Sequence, residues 1–233
     1  VGDLTRIFCT SLEFHHAKPL DMVGRVLAPF KRGKVAIKGE TDFVIEGGRL
    51  NVAGPDVFQK DPRNLIKGFM LAGRHDLHLH PDAIKEIRRS FKLIDHDLRN
   101  DRKANSWFLE ILTAPTYVER ILRQMNESGV LGKFVPEFGK IVALMQFNMY
   151  HHYTVDEHLI RAVGVMAEIA NGGLREQLPL THELLPSLND TRLLYVALFL
   201  HDIAKGRPED HSIAGGRVAR RFCPRLGLDA AET

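Results

Sequence analysis

From Thr191 to Lys205 the sequence reads Thr-Arg-Leu-Leu-Tyr-Val-Ala-Leu-Phe-Leu-His-Asp-Ile-Ala-Lys. The run from Leu193 to Leu200 is apolar without interruption, so a helix over Thr191 to Lys205 would be hydrophobic nearly all round. Such a helix is stable only where neighbours bury it. It is also too short to span a bilayer, which takes roughly 18 apolar residues or more. Its polar end, His201-Asp202-Ile203-Ala204-Lys205, presents an imidazole and a carboxylate at the edge of a packed interior. Burying those groups unpaired is costly, and a divalent cation satisfies both at once.

Neighbouring side chains on a helix point about 100° apart, so His201 and Asp202 can share an ion only from the flank between them, and further ligands must come from elsewhere. Thr154-Val155-Asp156-Glu157 is a Thr-x-x-Glu capping box that predicts a helix beginning just after Thr154. Leu159, Ala162, Val163, Met166 and Ile169 keep helical spacing until Asn171-Gly172-Gly173 stops it. His158 falls in the first turn. If this helix packs antiparallel to Thr191 to Lys205, His158 becomes the third ligand.

Lys205 stands one turn after His201, within reach of a phosphate oxygen as a point charge. His211, beyond the Gly206 to Asp210 loop, is a candidate for a second ion or the substrate. Arg217, Arg220 and Arg221 follow on the next helix, either facing the same anion or solvated. A mixed His and Asp set suits Mn²⁺ or Mg²⁺ first, with Fe²⁺ and Zn²⁺ as alternatives. The chemistry implied is hydrolysis at phosphorus, with water acidified by the ion and developing charge offset by the ion and Lys205.

A His-Asp dipeptide alone is weak evidence, because His75-Asp76 and His96-Asp97 share it. His96-Asp97 lies among Asp95, Arg99, Asn100 and Asp101 with no apolar wall, which reads as exposed surface. His75-Asp76 begins the polar segment His75-x-x-His78-x-His80 before Pro81, which reads as a loop. Only His201-Asp202 follows an apolar run.

The remainder predicts a mainly α protein. Val1 to about Phe30 is amphipathic and helical, interrupted by Lys31-Arg32-Gly33-Lys34. Phe43 to Val52 forms two β-rich runs around Gly47-Gly48, a hairpin signal and the only clear β element. Helices are expected over Pro62 to Ala72, after Pro81, and through Asn105 to Met125 with a break at Pro115. A short link, Leu131 to Gly139, then leads to the second half, in which Leu174 to Asn189 is a polar connection. The expected division is 1–139, a helical region with the hairpin near 43–52, and 140–233, an all-α unit.

With 233 residues, 44% hydrophobic and 26% charged, the chain is ordinary for a globular protein. Its net charge of +3 falls short of a dedicated nucleic-acid binder, so no nucleic-acid partner is expected, nor a membrane. Two distant cysteines, Cys9 and Cys223, form no disulfide framework and point to a reducing compartment, by default the cytoplasm. Val1-Gly2 without a methionine reads as an internal piece of a longer protein.

Two segments carry a resemblance: Met145-Gln-Phe-Asn-Met-Tyr-His-His-Tyr-Thr-Val-Asp-Glu-His158 and Leu200-His-Asp-Ile-Ala-Lys-Gly-Arg-Pro-Glu-Asp-His-Ser212. They resemble the bifunctional PII uridylyltransferase/uridylyl-removing enzymes of bacterial nitrogen regulation. The looser segments before Met145 are similar to the helical region that follows the nucleotidyltransferase domain in that family. The resemblance implies an HD-type phosphohydrolase domain that removes UMP from a uridylylated tyrosine of the PII protein. By position it makes His158, His201 and Asp202 the metal motif and Lys205 and His211 flanking family positions. It also implies UTP as substrate of the parent transferase and glutamine as effector through domains not found in this sequence. The family's Gly-rich transferase motif with paired carboxylates is not found either, and the HD signature's last aspartate is expected on a later helix; Asp229 is too near His211 to substitute for it. The HD domain is therefore expected to be incomplete. The alternatives are an HD phosphohydrolase acting on a free nucleotide or a guanosine polyphosphate, and a non-catalytic helical regulatory module.

Overall fold

Glycines at 47 and 48 both adopt positive φ, 57° and 75°, as the two-residue turn of a tight hairpin requires. In the computed structural model, which describes residues 33–145, 153–188 and 190–233, this turn joins β2 (Phe43–Glu46) to β3 (Arg49–Val52). The register pairs Phe43 with Val52 and Ile45 with Leu50. A third strand, β1 (Val35–Ala36), adds antiparallel to β2. The sequence reading missed it, because two exposed residues carry no periodicity. The predicted amphipathic stretch 1–30 lies outside the described residues.

Helices follow as α1 (Val57–Lys60), α2 (Asn64–Arg74), α3 (Pro81–Arg89), α4 (His96–Asn100), α5 (Arg102–Leu112) and α6 (Val118–Ser128). Pro81 occupies the first turn of α3, where its missing N–H costs nothing. The side chains of Asp95 and Asp101 accept the Leu98 and Ala104 N–H groups at the starts of α4 and α5. Gly129, at φ 87°, closes α6 in the left-handed conformation that glycine adopts without penalty.

Leu131 to Gly139 is not a link. It forms two short helices, α7 (Val130–Phe134) and α8 (Pro136–Gly139), because Val130, Leu131, Phe134 and Phe138 are all drawn into the core. Gly132 and Gly139 let these helices approach: a Cβ on Gly139 would stand 2.7 Å from the Gly132 carbonyl oxygen. Gly139→Ala is expected to cost about 1–3 kcal/mol of stability through forced backbone shifts. A lowered denaturant midpoint at unchanged slope would show it; an unchanged midpoint would mean that the two turns can separate freely.

The second half comprises α9 (Val155–Ala170), α10 (Pro179–Leu184), α11 (Arg192–Leu200) and α12 (His211–Phe222). The expected connection Leu174 to Asn189 thus holds a helix, though none of its side chains is buried. α9 packs against both α11 and α6. The buried apolar side chains form one continuous core whose aromatic centre is Phe199. Its ring stacks on Phe138 at 5.4 Å and meets Phe108 at 5.8 Å and Phe222 at 6.2 Å. The architecture is mainly α with a small sheet at one end, as the patterning predicts.

Candidate metal centre

α9 starts at Val155, directly after Thr154, but not by the mechanism that the capping box suggests. Thr154 makes no side-chain cap, and Glu157 is turned aside to Arg123 of α6. A charged partner outcompetes the neutral N–H at the helix start. His158 still lies in the first turn, its N–H donating to the Thr154 carbonyl at 2.9 Å.

α11 is shorter than the predicted Thr191 to Lys205 and ends at Leu200. Beyond it the chain tightens: Ile203 N–H reaches back to Leu200 and Lys205 N–H to Asp202, each three residues away. Such a turn satisfies terminal carbonyls and changes the angular separation of successive side chains. His201 and Asp202 therefore sit on the turn after the helix, beside the first turn of α9. The start of α9 and the end of α11 thus lie side by side where the two helices pack against each other.

His158 Nε2 stands 3.2 Å from His201 Nε2. The Asp202 Oδ2 oxygen lies 3.6 Å from the first and 3.5 Å from the second. The three donor atoms are mutually within 4.8 Å, the one such group of histidine, cysteine and carboxylate ligands among the described residues. With metal–ligand bonds of about 2.0–2.2 Å, donors at tetrahedral or octahedral angles stand roughly 2.8–3.6 Å apart, so these separations fit a single ion. His201 Nδ1 lies 2.8 Å from the Leu198 carbonyl oxygen, which can only accept. The proton is thus held on Nδ1, and the Nε2 lone pair is left for a cation. Asp202 is 7% exposed and the two imidazoles are partly open, so the site has a carboxylate floor and a solvent side. Lys205 Nζ contacts Asp202 Oδ2 at 2.7 Å, a cation already seated at the oxygen that faces the histidines.

His211 begins α12, is exposed, and lies outside that three-residue group. Asp210 caps its helix, and the Ile213 and Ser212 N–H groups hold the Asp210 carboxyl below the usual range. Arg217 pairs with Glu209 and Arg221 with Glu137 at 3.5 Å, while Arg220 is exposed. His96 and Asp97 are almost fully solvated, and Asp76 pairs with Arg120 at 2.9 Å, so neither of those dipeptides joins a metal cluster. Lys34 is exposed; Lys31 and Arg32 lie outside the described residues. A cleft of about 1770 Å³ runs along α3, α6 and α7, and its walls contain none of the three ligands.

Sequence reasoning missed Asp156. It is completely buried, accepting Asn126 Nδ2 at 2.8 Å and the Ala143 N–H at 3.2 Å. An aspartate in the first turn of a helix ordinarily reads as solvated, and only its position next to an apolar Val155 hinted otherwise.

No helix among the described residues is long and apolar enough to cross a membrane. Burial pushes the Cys223 thiol up, consistent with an inert core position. Residues 43–134 match the model of the uridylyltransferase GlnD third domain, and residues 155–233 match that of the HD domain. Among solved structures, a chain described as "Structure of tRNA-processing enzyme complex 3" is similar at a TM-score of 0.51 and 15% identity, over 79% of this chain and 41% of that one. This chain thus spans less than half of that protein's length, and at such identity the likeness is one of fold. Two family matches and a His158–His201–Asp202 cluster inside the second lead to one statement: the chain carries a segment similar to the uridylyltransferase GlnD third domain followed by an HD domain that holds the three clustered side chains.

Proposed function

We propose that this chain is part of a bifunctional uridylyltransferase/uridylyl-removing enzyme, and that its HD domain hydrolyses the UMP–tyrosine phosphodiester of uridylylated PII protein. The observation that carries the reading is the convergence of His158, His201 and Asp202 on one cation-sized position inside the segment matching the HD model. A divalent ion held there, Mn²⁺ or Mg²⁺ in the first place and Fe²⁺ or Zn²⁺ otherwise, supplies an acidified water and Lewis-acid stabilisation.

The protein's own groups do the rest. His201, with its Nδ1 proton committed to Leu198, keeps Nε2 as a donor, and Asp202 provides the buried anion that favours a cation. Lys205 is placed to leave Asp202 for a phosphate oxygen as negative charge develops. His211 is assigned to the substrate or a second ion at the mouth. Lys205→Ala is expected to lower kcat and kcat/KM together by about 10²-fold, the pattern of a contact made in the transition state. A rise in KM alone would instead make Lys205 a binding group.

We place the boundary between the helical region and the HD domain at 139/140, within the join between the two matched segments. UTP belongs to the parent transferase, glutamine acts as effector through further domains, and the setting is the cytoplasm. The test is release of UMP by the full-length protein with Mn²⁺, offered uridylylated PII, free nucleotides and guanosine polyphosphates side by side. UMP release from PII supports the reading. Hydrolysis of free nucleotides alone would move the enzyme to the other substrate class, and loss of all metal binding would leave a helical regulatory module.

A further inference from the structure

Among the polar contacts between the GlnD-like segment and the HD domain, which include Asn171 to the Pro115 carbonyl and Arg225 to the Phe134 carbonyl, one group lies at the first two turns of α9. Asn126, near the C-terminal end of α6, donates to the buried Asp156 carboxylate at 2.8 Å, and both residues are nearly inaccessible. The other Asp156 oxygen accepts the N–H of Ala143, a non-glycine residue at φ 57°, so the same carboxylate also holds the turn at 141–144. Arg123, one turn earlier on α6, pairs with Glu157 and at 2.8 Å with Glu119. Glu119 in turn receives Arg161 of α9 at 3.1 Å. Two consecutive residues, Asp156 and Glu157, are therefore clasped by α6, and the next residue is the ligand His158.

To share one ion, His158 Nε2 must stay close to the donor atoms of His201 and Asp202, which are carried by the turn that follows α11. Apolar packing alone leaves α9 free to slide or rotate slightly about its axis, because it is non-directional. A buried hydrogen bond and a paired arginine are directional and fix the helix's register. We propose that Asn126 and Arg123 of the GlnD-like segment are positioning residues for the metal centre, setting the place of His158 through Asp156 and Glu157. This inference rests on the metal-site reading given above and adds that the ligand geometry is set from the neighbouring domain. It makes the affinity of the HD site for its ion depend on contacts made by α6.

The experiment is Mn²⁺ titration calorimetry on the full-length protein, with the melting temperature of the metal-free form recorded alongside. Asn126→Asp sets two carboxylates against each other and is expected to weaken Mn²⁺ binding about tenfold, as loss of groups that orient a ligand does. Adding Asp156→Asn re-forms the hydrogen bond with donor and acceptor exchanged, and should recover most of that loss. Where Asn126→Asp does not fold, Arg123→Ala carries the same test, with Arg123→Lys as the rescuing variant. Wild-type Mn²⁺ affinity in the folded single variants, whatever their melting temperatures, would overturn the proposal and reduce these contacts to packing. His201→Ala separates the two ideas. Binding that His201→Ala abolishes but the α6 variants leave intact refutes positioning alone, whereas a wild-type protein that binds no divalent ion refutes positioning and the metal reading together.

Discussion

Asp202→Ala is expected to abolish measurable Mn²⁺ binding and to reduce phosphodiester hydrolysis by at least about 10³-fold. Removing one of three ligands already exceeds the roughly 10–100-fold loss typical when a group that merely orients a ligand is removed. Asp202 is also the anionic member of the cluster, with both imidazole Nε2 atoms at 3.5–3.6 Å and the Lys205 ammonium at 2.7 Å from one oxygen. Without it, two imidazoles and a lysine remain, a set with no anion to offset the charge of a divalent cation. Asp202→Asn tests the charge separately, because it keeps shape and one acceptor oxygen. It should bind Mn²⁺ far more weakly than wild type, though better than alanine. Calorimetric titration and UMP release from uridylylated PII are the readouts. Retained affinity in Asp202→Ala would remove this residue from the metal site.

The largest effect on stability is expected from Phe199→Ala, about 3–5 kcal/mol. Phe199 is fully buried and touches the rings of Phe138, Phe108 and Phe222, which come from α8, α5 and α12. Close-packed neighbours on three sides cannot all collapse into the vacated volume, so the cavity cost adds to the lost transfer energy. For a chain of this size the melting midpoint should fall by roughly 10 °C. Phe199 also lies two residues before His201, so the folded fraction of this variant should show weakened Mn²⁺ binding. A loss under about 1 kcal/mol in denaturant unfolding would mean that the surrounding rings repack.

The candidate metal centre was legible in the sequence because each of its parts is announced locally. An eight-residue apolar run has to be buried and brings its polar end to the edge of the core, so His201-Asp202 could be separated from His75-Asp76 and His96-Asp97 without a structure. The stop of α9 at Asn171-Gly172 follows from backbone preferences that residues express one turn at a time, and its start falls where Thr154 marks it although the side-chain cap is not made. The Gly47-Gly48 hairpin is of the same kind.

What remained hidden depends on partners distant in the chain. Glu157 reads as a capping residue, and only the arrival of Arg123, 34 positions earlier, turns it into an ion pair between α6 and α9. Asp156 reads as a solvated charge, yet α6 and the turn at 141–144 close over it. Strand β1 exists because β2 offers an edge, and α7 and α8 exist because the core accepts their apolar faces. The end of α11 at Leu200 is likewise a tertiary result, since its continuation as a tightened turn is what aims His201 and Asp202 at His158. Residue types and spacing determined which side chains could hold an ion. Long-range packing decided that three of them converge on it, because local propensity sets the direction of a helix only until a buried or charged partner outweighs it.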